Sequence, residues 1–70
     1  MDNNNLDVHL GKMVRQKIGE RGITVSEFAR RINCSRNNAY NILNRQFIDI
    51  PLLNRISIAL DYNFFKHFTT

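Results

Sequence analysis

The chain has 70 residues, a single cysteine (Cys34), and ten Lys and Arg against six Asp and Glu, for a net charge of +4. A chain this short buries only about 60% of the surface its unfolded form exposes, so it makes one domain at most, and with one cysteine no internal disulfide can staple it. The polar opening MDNNNLDVH has no signal-peptide apolar run, and no segment approaches the roughly 20 apolar residues of a membrane span. The expectation is a soluble, cytoplasmic chain without membrane contact.

Residues 1–5, with their run Asn3 to Asn5, read as a disordered tail, and 6–70 as the domain. The spacing predicts five helical segments and no strand. In the first, Leu6, Leu10, Val14 and Ile18 recur every fourth residue, with Met13 beside them, and Gly22 stops it. Thr24 followed by Glu27 predicts a capping box, the threonine accepting from a backbone N–H and the glutamate reaching back to Thr24. Val25, Phe28, Ala29 and Ile32 then fall at i, i+3, i+4 and i+7, which leaves Arg30 and Arg31 toward solvent. Asn33 and Cys34 suit a tight turn, because Asn tolerates left-handed backbone, and Ser35 suits the cap of a third helix from Arg36 to Asn44. Pro51 fits the first position of a fourth helix with the stripe Leu52, Leu53, Ile56, Ala59 and Leu60. Asn63 can cap a last short helix whose Phe64, Phe65 and Phe68 close the core.

The basic surplus is concentrated. Between Phe28 and Ile48 stand Arg30, Arg31, Arg36 and Arg45 with no acid, interleaved with Asn33, Asn37, Asn38, Asn41, Asn44 and Gln46. On a wheel of about 100° per residue, Ala39, Ile42 and Leu43 share one side of helix three, and Arg36, Asn37, Tyr40, Asn41 and Asn44 span the other. Asn is a poor helix former and adds nothing to a core, so a helix face rich in it calls for a use. Double-stranded DNA supplies one. An Asn amide makes a bidentate pair with adenine, and Arg matches the O6 and N7 acceptors of guanine in the major groove. The residues at the start of the second helix of such a motif are the ones that enter the groove, so Arg36, Asn37 and Asn41 are the base-contact candidates. The competing reading is a merely solvated polar face.

The stretch LGKMVRQKIGERGITVSEFARRINCSRNNAYNILN resembles the lambda-repressor and Cro-like (XRE-type) helix-turn-helix family. The likeness rests on Gly22, Ile23, Thr24, Glu27, Phe28, Ala29 and Ser35, and continues through ALDY and NFF to about Phe68. It implies an all-α, compact bundle of five short helices with a central helix-turn-helix. It further implies that Arg36, Asn37 and Asn41 read bases, with Tyr40 able to join them. Thr24, Val25, Ser35, Asn38, Asn44 and Arg45 fall where phosphate contacts are common. Two positions depart from the family pattern. Val25 stands where a Gln often bonds phosphate, so here only its backbone N–H can serve. Ile18 and Leu43 stand where many members pair an Arg with a Glu, and an apolar contact there keeps the fold.

Arg30, Arg31 and Arg45 are candidates to touch or steer toward phosphates, Arg45 foremost. His9 and His67 read as surface histidines, Cys34 as a small half-buried residue, and no metal or cofactor is expected. No nucleophile, base and orienting group assemble from these residues, so no enzyme activity or small-molecule substrate is expected. The resemblance implies a transcriptional regulator of bacterial or phage type, nucleoid-associated and repressing. One recognition helix reads only a few base pairs, so a homodimer on a palindromic operator is expected, and Ile58, which points away from the stripe of helix four, is with helix five its candidate contact. The alternatives are a protein-interaction module that keeps the fold but binds no DNA, and the DNA-binding antitoxin of a toxin-antitoxin pair.

Overall fold

The structure is a computed structural model and describes residues 9–68, at position 68 the backbone alone. The expectations for residues 1–5, for Leu6 and for the Phe68 side chain lie outside it. Among the described residues the order is α1 Leu10–Glu20, α2 Val25–Arg31, α3 Arg36–Leu43, α4 Ile50–Leu60 and a 3-10 turn Phe64–Phe68, with no strand. The all-helical expectation holds, but the fifth helix is corrected to this turn. Its five residues are too few to offset the cost of nucleating an α-helix. The Asn63 carboxamide oxygen instead takes the Phe65 N–H at 3.0 Å, and Lys66 N–H donates three residues back to the Asn63 carbonyl.

Each α-helix is capped by a polar side chain that accepts one of the first orphan N–H groups. His9 Nδ1 takes Lys12 N–H, Thr24 Oγ1 takes Glu27 N–H, Ser35 Oγ takes Asn38 N–H and Asp49 Oδ1 takes Leu52 N–H. His9, expected at the surface, is half-buried and serves as a helix cap. Asp49 moves Pro51 from the expected first position to the second, where its missing N–H is equally harmless. The capping box forms by half. Glu27 does not return to Thr24, because two guanidinium groups at i+3 and i+4 offer it charge-assisted bonds that a neutral backbone donor cannot match.

Three of the helices end alike, with one residue in left-handed geometry and two back-bonds closing the last turn. Gly22 (φ 68°) ends α1, Asn33 (φ 62°) ends α2 and Asp61 (φ 52°) ends α4. At α1 the bonds run from Gly22 N–H to the Gly19 carbonyl and from Ile23 N–H to Ile18; at α2 they run from Asn33 to Arg30 and from Cys34 to Ala29. The α2 ending is the turn of the helix-turn-helix, and it sets the direction in which α3 leaves.

Among the described residues the buried side chains are all apolar: Leu10, Val14 and Ile18 from α1, Phe28, Ala29 and Ile32 around α2, Ala39, Ile42 and Leu43 from α3, Ile48, Leu53, Ile56 and Leu60 around α4, and Phe64. Ile18 and Leu43 lie in this one core, as the expected apolar replacement of an ion pair requires. α3 packs mainly on α2 and then on α1. The second contact needs Gly11. Leu10 and Gly11 N–H donate to the Gln46 and Arg45 carbonyls at 2.8 and 3.0 Å, and a Cβ on Gly11 would collide with the Leu43 and Arg45 carbonyl oxygens. Beneath, Tyr62 meets buried Phe64 edge-on, with centroids 4.8 Å apart.

Candidate nucleic-acid interface

α3 has eight residues, one short of the expected span because Asn44 serves as its C-cap. Its core side is formed by Ala39, Ile42 and Leu43, all buried, and pressing these inward turns the remaining side chains out. Arg36, Asn37, Asn38, Tyr40, Asn41 and Asn44 are exposed, as is Arg45 just beyond. Tyr40 keeps 45% of its surface open. The arc of Arg36, Asn37, Tyr40 and Asn41 is continuous and offers amide, phenol and guanidinium donors, without a carboxylate among them.

The phosphate candidates separate into two groups. Thr24 and Ser35 each use a hydroxyl oxygen as a helix cap, and a hydroxyl that accepts can still donate its own proton outward. Val25 is half-buried against the core and its apolar side chain has no donor, so only its backbone N–H could serve a phosphate there. At the other end, Asn44 Oδ1 accepts from Arg15 Nη2 at 3.2 Å, and Asn44 N–H closes the last turn of α3.

Two features escape sequence reasoning. Arg36 Nη1 donates to Ser26 Oγ on α2 at 3.3 Å, which ties the first side chain of α3 across the turn to α2. Lys12 and Arg15 of α1 flank a concavity shared with His9, Leu43 and Asn44, which brings α1 to the rear end of α3. Neither residue lies in the basic, acid-free window, and only the docking of α1 through Gly11 could reveal them.

The ten cations sort by what they touch. Lys17 Nζ pairs with Glu20 at 2.8 Å and lies over the Tyr62 ring. Arg30 and Arg31 both grip Glu27, at 2.5 and 2.9 Å, and hold its carboxyl down to about 2 from the ordinary 4.5, Arg30 contributing most. Glu27 in turn raises Arg30. Lys17 likewise lowers Glu20. Arg31 also donates to the Ala59 carbonyl, Arg55 to the Ile32 carbonyl and Arg21 to the Asp61 carbonyl. Lys66 Nζ also lies over the Tyr62 ring, 4.5 Å from its centroid. Of the two central arginines read as phosphate candidates, Arg30 is thus paired with Glu27, and Arg31 shares that carboxylate and braces α4. Lys12, Arg15, Arg36 and Arg45 have no acid partner among the described residues, and they lie on α1, α3 and the loop after α3.

Among the described residues no three His, Cys, Asp or Glu side chains gather as a metal would need, and no helix is long and apolar enough to cross a membrane. Cys34 is half-buried at the turn, its thiol against the Ser35 carbonyl. Of known protein families, the Cro/C1-type HTH DNA-binding domain matches residues 13–64, a span that takes in α2, the turn, α3 and α4 whole. Comparison with curated proteins and with solved structures found no match.

Proposed function

The chain belongs to the Cro/C1-type HTH DNA-binding domains, and from that premise we propose that it is a sequence-specific repressor that reads the major groove with α3. The observation that carries the reading is the arc of Arg36, Asn37, Tyr40 and Asn41 opposite buried Ala39, Ile42 and Leu43. In this reading Arg36 and the two asparagines meet base edges, and Tyr40 packs on sugar or a thymine methyl. Thr24, the Val25 backbone, Ser35, Asn38, Asn44 and Arg45 meet phosphates and fix the register.

One such helix spans only a few base pairs, so specificity in a genome calls for two copies on a two-fold operator. Support for a homodimer comes from α4, where Ile50 and Ile58 stay 71% and 72% exposed and Phe47, leading into the helix, 72%. Large apolar groups this open favour burial against a second chain. Ile58 with the closing turn is the expected contact.

The test is selection of random duplex DNA by the purified protein, followed by titration of the enriched site at two salt concentrations. Sedimentation of the wild type and of Ile58→Lys runs alongside. A near-palindromic motif, bound by a dimer that Ile58→Lys splits, is the expected result. Salt-sensitive binding without a motif removes sequence reading, and no binding at all favours an interaction module that has kept the fold.

A further inference from the structure

We infer that the DNA interface continues onto α1, where Lys12 and Arg15, with Asn44 between them and α3, form a seat for a backbone phosphate at the rear end of the recognition helix. The inference rests on the DNA-binding reading above but concerns residues outside the helix-turn-helix. Three observations meet here. First, α1 is held against the end of α3 by backbone bonds from Leu10 and Gly11 to the Gln46 and Arg45 carbonyls, an approach that only a glycine at position 11 permits. Second, Lys12 and Arg15 are three apart on one helix face and line the same concavity as Asn44, to which Arg15 donates at 3.2 Å. Third, neither cation pairs with an acid among the described residues, although the acids elsewhere hold Lys17, Arg30 and Arg31.

The spacing suits the duplex. Eight residues of α-helix run about 12 Å, close to the roughly 12 Å width of the major groove. The Ser35 cap at the front of α3 and the Lys12, Arg15 and Asn44 group at its rear are therefore about one groove width apart, the separation of the two phosphate walls. The Arg15 guanidinium has further N–H donors beyond the one given to Asn44, and Asn44 keeps its amide NH2 as a donor. Together they offer a phosphate two charges and several hydrogen bonds, and none of these groups reads a base.

The experiment is a titration of duplex DNA by fluorescence anisotropy over a salt series, on the selected site and on random sequence, with folding checked by circular dichroism. The variants are Lys12→Gln with Arg15→Gln, Arg15→Lys, and Arg21→Gln as a charge control at the far end of α1. The slope of log K against log salt should become shallower by about 0.9 for each phosphate that is no longer neutralised, equally on both DNAs, while Arg15→Lys holds the wild-type slope. An unchanged slope in the folded double variant overturns the inference alone, as does an equal change per charge in Arg21→Gln. Absence of salt-sensitive binding by the wild type overturns the inference together with the DNA-binding reading.

Discussion

Arg36 stands where two demands on one side chain meet. Its guanidinium gives one donor to Ser26 and keeps the others, so in the proposed reading the side chain is braced from α2 while its outer edge meets the groove. Asn41, one turn and a residue further along, has no such brace and depends on helix geometry alone. Replacing either by alanine should cost about 1 to 3 kcal/mol on the preferred site and relax base choice there. Titration against single-base variants of the selected site checks this, and an equal loss on every sequence would strike the residue from the base readers. Arg36 was legible from its place after the Ser35 cap. Ser26 was not, because ten positions separate it from Arg36 and only the turn at Asn33 brings the two together.

At the scale of elements, two glycines of α1 make opposite predictions from one residue type. Gly11 faces the carbonyls that end α3, whereas an added Cβ on Gly19 would meet nothing. Gly11→Ala should therefore push α1 off the α3 end and destabilise by about 2 kcal/mol, the usual cost of overpacking. Gly19→Ala should stabilise by about 0.5 to 1 kcal/mol, because helical Gly gives up more backbone freedom than Ala. Urea midpoints of the two variants decide both. α2 carries a pH signature of its own. Glu27 is depressed to about 2 when folded and returns to the ordinary 4.5 when unfolded. The stability it confers is thus fully present above 4.5 and is lost as pH falls toward 2. Glu27→Gln should lie below the wild type at neutral pH and converge on it across that window. Urea midpoints between pH 5 and about 2 would refute this if the gap stayed constant. The Thr24 to Glu27 spacing correctly announced the helix start, but not the carboxylate's partner, since Arg30 and Arg31 satisfy the same i+3 and i+4 geometry and carry full charge.

Across the whole molecule, what could be read in advance was local: the stripes of α1, α2 and α4, the Ser35 cap, the left-handed Asn33, the apolar Ile18 and Leu43. What could not was made by elements meeting, as in the Gly11 approach, the Arg15 to Asn44 bond, and the cap that Asp49 gives to α4. The same division runs through the charge. A net +4 counts every arginine alike, yet two of them form a reciprocal cross-brace, Arg31 of α2 to the end of α4 and Arg55 of α4 to the end of α2. In a domain this small the total stability is marginal, so the loss of one such tie is a noticeable fraction of it. An alanine survey of the arginines would consequently return two kinds of poor binder that a single gel cannot separate. Arg31→Ala and Arg55→Ala should lose DNA on warming, in step with their helical circular dichroism, and regain it on cooling. Arg36→Ala should stay defective at every temperature at which it is folded.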